Sequence, residues 1–471
     1  MSEVHAHVVV IGGGIAGLAA AWRLEQLSPA ISVTLIEAEP RLGGWIRTEH
    51  WGEVIIEHGP DSWVASKPAA TELARALGLE SEIVGLRADQ AETSIMHDGR
   101  LLPLPSGLSL LVPTRLRPLL TSPLLSPLGK LRLLAEYLVP PRLDEDDESL
   151  ASFVRRRFGR EFAERVAEPL LSGIFAGDAG QLSVLATYPQ LRRLERERGS
   201  LLRARAMQAR RPAGLAGGSP FLTLRSGMER LVRAVAGDLQ RTVVRTGATA
   251  LGIAPSNGGF AIDLADGTRL EADGVILAVP AWRAARLFER SFTRAAAVLQ
   301  ALPYASSAAV TLVYRQSDLA GFARGRGFLV PAREGRPISA VTWVTNKFPA
   351  RAPEHLGLVR VFFRAERAGL SDDAPTEILV AVALQELRSA VGLQAEPLHA
   401  IVSRHERALP QYCVGHRQRV AELRSLLGCW PGLALAGAAY DGVGVSDCIA
   451  SGWRAAEAVL QGIGARQSVG R

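Results

Sequence analysis

Three glycines and one carboxylate carry the most specific chemistry in this chain. Gly12, Gly14 and Gly17 form G-x-G-x-x-G, and Glu37 follows at the separation of about 20 residues that suits a dinucleotide. Gly12 permits a tight turn, Gly14 lets the backbone approach a pyrophosphate, and Gly17 lets helix and strand pack closely. The helix N-terminus that follows presents unsatisfied N–H groups and a partial positive charge to phosphate. Glu37 can accept hydrogen bonds from ribose hydroxyls.

The neighbouring elements put these groups in register. Val8 to Ile11 is a β-branched run that reads as a buried parallel strand. Ala16 to Leu27 is rich in helix formers, and Val33 to Ile36 is a second apolar strand ending at Glu37. The same fingerprint serves NAD and FAD. Arg41-Leu-Gly-Gly44, directly after the acid, separates them: it resembles the E-x-x-x-R-x-G-G signature of the flavin amine oxidase superfamily. The resemblance implies FAD.

Length and composition narrow the remainder. A chain of 471 residues exceeds one ordinary domain and should divide into two or three. The formal charge of +7 makes acidic substrates or anionic lipid plausible partners. No basic run interleaved with aromatics is present, so nucleic acid is not expected. Cys413, Cys429 and Cys448 are odd in number and lack C-x-x-C spacing, which argues for a reducing compartment and against a disulfide framework. The histidines lack metal-ligand spacing, so no metal is expected. The first strand begins within ten residues of Met1, leaving no room for a leader, and the expected location is the bacterial cytoplasm.

Along the chain, Trp51 to Pro60 reads as a strand ending in a Gly-Pro turn, and residues 101–141 are dominated by Leu and Pro with Arg115, Arg117, Lys130 and Arg132 among them. No apolar run is long enough to span a bilayer. Short helices carrying leucines beside arginines fit a surface lying in the membrane interface, while a helical subdomain with its own core is the alternative. The arginines of the helices expected at Ser152 to Arg165 and Leu191 to Arg211 read as a solvated face or as contacts to anionic lipid. From Phe221 the pattern returns to α/β, with a buried strand before Pro280. Residues 286–427 alternate strands and helices as an α+β unit. The last unit places a strand before Gly437, a glycine loop, and a helix from Val445 towards Leu460, with a disordered tail expected from Gly462.

The expected fold is therefore α/β: a discontinuous Rossmann-type FAD-binding domain, an α+β substrate domain and a helical, membrane-associated insertion. The FAD domain takes residues 1–92, 211–285 and 428–471, the substrate domain 93–104 and 286–427, and the helical insertion 105–210.

Longer motifs sharpen the resemblance. Arg41-Leu-Gly-Gly-Trp-Ile-Arg47, Glu57-x-Gly-Pro60, Ser172-Gly-Ile-Phe-Ala-Gly-Asp178, Gly327-Phe-Leu-Val-Pro331, Leu409-Pro-Gln-Tyr-x-x-Gly-His416 and Gly437 to Ile449 occur in family order. The chain resembles the oxygen-dependent, FAD-containing protoporphyrinogen oxidase family. That resemblance implies six-electron oxidation of a porphyrinogen, protoporphyrinogen IX to protoporphyrin IX, in three two-electron rounds, with O2 reoxidising FAD to give H2O2. It implies contact with anionic membrane from the inner face of the cell membrane, and it admits a homodimer. It places FAD at Gly12, Gly13, Gly14, Ile15, Ala16, Gly17, Glu37, Arg41, Gly44, Trp45, Gly59, Pro60, Asp61, Ser62, Ala438, Val443, Gly444 and Val445. Leu329 and Phe363 fall where family members sandwich the macrocycle.

One departure affects substrate anchoring. Many members carry a propionate-binding Arg where this chain has Thr93; Arg100 is the nearby candidate, or else a surface-turn arginine. Hydride transfer needs the substrate carbon held against the flavin, which an apolar sandwich can do for a flat macrocycle. No catalytic acid or base stands out. His416 reads as a structural histidine, and Tyr412 as shaping either the pocket or a turn. Rival readings are coproporphyrinogen III oxidation on the same fold, another flavin oxidase, and a non-catalytic FAD protein.

Overall fold

The computed structural model describes residues 6–109, 111–175, 177–204, 219–363 and 374–469. β1 (Ala6–Ile11), α1 (Ile15–Leu27) and β2 (Ile31–Ile36) begin a five-stranded parallel sheet. Its order is Thr242–Arg245, β2, β1, Gly274–Leu277, Leu433–Leu435, so three distant stretches of chain build one sheet. Val8, Val9 and Val10 are wholly buried, as a parallel strand covered on both faces requires. On one side lie α1 and the C-terminal helix Val445–Val469. These two approach closely because Gly452 has no side chain: a Cβ there would lie 2.2 Å from the Ala16 carbonyl oxygen. The C-terminal helix runs on through Gly462 and Gly464 to Val469, where a disordered tail was expected.

A second sheet has seven strands in the order His399–Pro410, Tyr304–Arg315, Leu356–Phe363, Ile338–Trp343, Gly327–Leu329, Ser94–His97, Arg100–Pro103. Helix Thr376–Val391 covers one face, with Leu379, Ala383 and Leu387 packed against Phe328, Val359, Val361 and Phe363. The other face turns towards loop 57–62 of the first unit, to which Arg360, Ser403 and His405 bond.

Between the edge hairpin of this sheet and residue 204 lies the helical insertion. Its apolar core gathers Leu133, Leu150, Phe153, Phe158, Phe162 and Leu171. The expected solvated arginine faces form only in part: Arg155, Arg160, Arg193 and Arg198 are exposed, while others turn inward. Arg157 and Arg192 are buried, with Glu136 and Glu195 fully enclosed beside them. Glu195 accepts from Arg156 Nη1 at 2.5 Å and Arg192 Nη1 at 2.8 Å. Glu136 pairs with Arg157 and accepts from the Leu201 and Leu202 N–H groups at 2.9 and 3.2 Å. Packing thus turns these arginines inward, each carboxylate being held by cations and backbone donors. The second expected helix runs Pro189–Arg198, and its proposed continuation from 205 lies outside the described residues. Among the described residues no helix is long and apolar enough to cross a membrane.

Candidate active site

The site forms at the carboxyl edge of the parallel sheet, where both α1 and the C-terminal helix begin. The three motif glycines have three separate physical roles. Gly12 adopts φ +109°, and a Cβ there would lie 2.6 Å from the Ala278 carbonyl oxygen. At Gly17 a Cβ would fall 1.9 Å from the Gly12 carbonyl oxygen, so this glycine is what lets α1 sit on the turn. At Gly14 a Cβ would meet nothing within 4 Å, and no side chain caps α1 there. That opening, before the first-turn N–H groups of Ile15 and Ala16, is a cradle for an anionic group.

Glu37 closes back on this loop: its carboxylate accepts from Gly13 N–H at 2.6 Å and Glu39 N–H at 2.8 Å. Arg41 shapes the second loop, donating to the carbonyls of Leu42 at 3.1 Å and Ile46 at 3.2 Å, and to that of Gly44. The two loops dock through Gly43 N–H to Gly13 O at 2.8 Å. Trp45 stands 44% exposed beside the site, its ring edge-on to His405 at 5.5 Å. Gly59 passes beneath it so closely that a Cβ would lie 1.9 Å from the Trp45 carbonyl oxygen. At the second helix N-terminus, Tyr412 Oη donates to Ala438 O at 2.6 Å and accepts from Gly442 N–H at 2.7 Å. Asp447 accepts from Gly444 N–H at 3.1 Å, just before Val445 opens the helix. Val443 packs on the core of the helical insertion, tying that unit to the site.

Loop 57–62 is pinned largely by side chains of the seven-stranded sheet and its connections. Glu57 accepts from Met228 N–H at 2.8 Å and pairs with Arg351 at 3.2 Å; burial raises its carboxyl pKa. Arg360 donates to the His58 and Gly59 carbonyls at 2.6 and 3.1 Å. His405 Nε2 also donates to His58 O, at 2.8 Å. Burial and the Arg360 charge push His405 down to about 4, so the ring is neutral. Asp61 holds Lys347 at 2.7 Å and Ser62 Oγ at 2.7 Å; despite the opposing effect of burial, the Lys347 ammonium and these bonds keep its carboxyl far below the usual range. Pro60 sits within this clamped turn.

The expected macrocycle contacts separate. Leu329 stands opposite Ala340, and Ala340 stands opposite Phe362. With the two-residue period of a strand, Leu329 and Phe362 share one face with Arg360. Phe363 points the other way, 2% exposed in the core under helix Thr376–Val391. Phe362, one residue earlier than expected, is the aromatic side chain on the face of Leu329. Arg100 lies exposed at the edge hairpin, opposite His97. The neighbouring turn is tied to Glu334, which accepts from Asp98 and Gly99 N–H groups at 3.0 Å each. Thr93 contributes its carbonyl to Leu104 N–H at 2.8 Å. Of Ser172 to Asp178, residue 176 lies outside the described residues.

Sequence reasoning missed Arg360, Phe362, His405 and Lys347. A signal existed for the first: Arg360 is the lone charge in the strand Leu-Gly-Leu-Val-Arg-Val-Phe-Phe.

Comparison with known proteins supplies the family. The sequence pattern of the flavin-containing amine oxidoreductases matches residues 15–460. The chain belongs to that family. It is a FAD-dependent oxidoreductase. Among curated relatives, the coproporphyrinogen III oxidase of Bacillus subtilis is 35% identical, over 96% of this chain and 97% of that one. The protoporphyrinogen oxidase of Homo sapiens is 33% identical, over 96% and 98%. A solved structure from Exiguobacterium sp., provisionally described as a protoporphyrinogen oxidase, superposes with a TM-score of 0.86 at 34% identity, covering 98% and 100%.

The residues present fit FAD. The open position at Gly14, the uncapped start of α1, the carboxylate of Glu37 and a second helix start at Val445 are features a dinucleotide can use together.

Proposed function

We propose that this protein oxidises a porphyrinogen to the porphyrin, with O2 as terminal acceptor and H2O2 as product. The apolar strip Leu329–Ala340–Phe362, facing a clamped loop 57–62, carries the reading. Such a strip suits a flat macrocycle, and the relatives from Bacillus subtilis and Homo sapiens are both named for porphyrinogen substrates. When bound, FAD supplies the hydride acceptor. The chain supplies position: Leu329 and Phe362 hold the ring system, while the clamp on His58, Gly59 and Asp61 fixes the surface against which it is held.

FAD is assigned to Gly12–Gly17, Glu37, Arg41, Gly44, Trp45, Gly59–Ser62, Ala438 and Val443–Val445. In this arrangement Glu37 exchanges its Gly13 bond for ribose hydroxyls, and Arg41 acts by shaping the loop. The three-domain division keeps the limits given above, with the five-stranded sheet, the seven-stranded sheet and the helical core as its supports.

Coproporphyrinogen III is the favoured substrate, on the Bacillus subtilis relative; protoporphyrinogen IX is the second reading, favoured by the human one. The two share the reacting macrocycle and differ in propionate number. Arg100 is the candidate anchor for a propionate at the rim.

The helical insertion is read as a peripheral contact with the inner face of the cell membrane. Leu128, Leu131, Leu138 and Leu143 are 78%, 65%, 85% and 69% exposed around helix Pro127–Leu134, with exposed Arg115 and Arg117 nearby in sequence. A homodimer remains part of the proposal from family resemblance.

The test is porphyrin fluorescence developing in air when both porphyrinogens are offered in parallel to the flavin-loaded protein. Faster turnover of coproporphyrinogen III supports the favoured substrate, and faster turnover of protoporphyrinogen IX the second. No fluorescence from either would contradict porphyrinogen oxidation.

A further inference from the structure

Arg360 is 6% exposed, and among the described residues its charge has no close counter-ion. The cations around it are each matched: Arg351 by Glu57 at 3.2 Å and Lys347 by Asp61 at 2.7 Å. Among the described residues Arg360 makes no ion pair. Its two terminal nitrogens bond to neutral carbonyls, its guanidinium lies 5.0 Å over the Phe362 ring, and its buried Nε–H has no partner. Glu57 and Asp61 act on it only from a distance.

Burying a guanidinium is costly unless a counter-charge and full hydrogen bonding offset it. Two carbonyls could be held by a neutral amide without that cost. Holding the loop therefore accounts for the hydrogen bonds and leaves the charge unexplained. A cation kept unneutralised beside a redox group has a clear electrostatic use. It favours whichever state of that group is more negative.

We propose that Arg360 sets the reduction potential of the bound flavin, its uncompensated positive charge stabilising the reduced form. The C–H bond at the substrate carbon breaks and its hydride, two electrons with one proton, moves to the flavin. The flavin is reduced and gains one negative charge; the substrate, oxidised by the same two electrons and left one charge more positive, releases an N–H proton to solvent. Arg360 touches neither reacting atom in this account. It is a tuning residue acting through the loop at His58 and Gly59. The inference rests on the FAD assignment at that loop and is independent of which porphyrinogen is the substrate.

The experiment is an anaerobic measurement of the flavin midpoint potential in the purified holoenzyme, against an indicator dye and without porphyrinogen. Arg360→Gln is expected to lower the reduction equilibrium at least tenfold, which for a two-electron couple is about 30 mV. Arg360→Lys, which keeps the charge, should stay within half that shift. If the Gln variant fails to retain flavin, Arg360→Met, which also removes the charge, is measured in its place with the same fall expected. An unchanged potential in Arg360→Gln, or a fall in both Arg360→Gln and Arg360→Lys to the same extent, would overturn the proposal. Potentials that shift as expected in a protein that oxidises no porphyrinogen would overturn the substrate reading and leave this one standing.

Discussion

The dinucleotide end and the helical insertion solve the problem of burial in opposite ways. Around β1, α1 and the C-terminal helix, the interior is apolar and the backbone is brought close by glycines. At Gly17 and Gly452, single missing Cβ atoms set the spacing between elements. The insertion instead encloses Arg157, Arg192, Glu136 and Glu195 among its phenylalanines and leucines, so its core is held by ion pairs and charge-assisted bonds. Buried ion pairs add little net stability over apolar packing, yet losing one partner is costly. The first unit should tolerate small volume changes at its open positions; the second should fail when one charge is removed.

Removing a charge is the harshest test of that contrast. Glu136→Ala strips Arg157 of its nearer carboxylate, leaving Glu195 at 3.5 Å, and frees the Leu201 and Leu202 N–H groups. A loss of about 3–5 kcal/mol is expected in denaturant unfolding. A loss below about 1 kcal/mol would mean that the buried network is dispensable and the contrast false.

At the dinucleotide end the expected signature is the reverse. Acidification isolates one component of it. His416 stacks on Tyr412 at 3.9 Å, is 3% exposed, and its ring nitrogens find no partner among the described residues. Burial pushes its pKa down from 6.5 to about 4. Because the folded pKa lies below the unfolded one, the unfolded chain takes up the proton first. The stability this ring provides is whole above 6.5 and is lost as pH falls towards about 4. His416→Phe should remove a slope of about 1.4 kcal/mol per pH unit in that window. An unaltered slope would show that the ring is protonated in the fold.

Gly14→Ala then separates cofactor from scaffold. Its φ of −68° suits any residue and the Cβ has room, so apo stability should change by only a few tenths of a kcal/mol. FAD affinity should fall at least tenfold, read by flavin release on dialysis. Unchanged affinity would remove Gly14 from the cradle. The smallest effect on stability belongs to Leu128, Leu131 and Leu138 changed together to Ser. These are exposed, so folding should shift by less than about 0.5 kcal/mol per site. Co-sedimentation with anionic liposomes should nevertheless be lost; its retention would contradict the membrane reading.

The two units also differ in how much of them is legible before folding. Glycine roles at 12, 14 and 17 are properties of the local backbone, and β1, α1 and β2 formed within a few residues of their expected limits. Loop 57–62 was recognisable as a turn, but the groups that hold it arrive from residues 347, 351, 360, 403 and 405, which only the tertiary fold brings together. The arginines of Leu150–Phe158 and Pro189–Arg198 look solvated in sequence because a helix carrying charge on one face normally points it outward. Of their carboxylate partners, Glu195 sits on the second helix itself, three residues from Arg192, but Glu136 and Glu148 lie on other segments. Phe362 and Phe363 could not be told apart because the strand is apolar on both faces. Pairing of Leu329 with Ala340 and of Ala340 with Phe362 decides the register.

That register supports the central claim, that Leu329 and Phe362 form the surface receiving the macrocycle. The most direct measurement is steady-state porphyrin formation by Phe362→Ala and Phe363→Leu, with thermal stability recorded alongside. Phe362→Ala should lower kcat/KM for the porphyrinogen at least tenfold while Tm stays near that of the parent. Phe363→Leu should lower Tm and leave kcat/KM close to the parent value. The opposite pattern, with turnover sensitive to Phe363 and indifferent to Phe362, would contradict the assignment of this face.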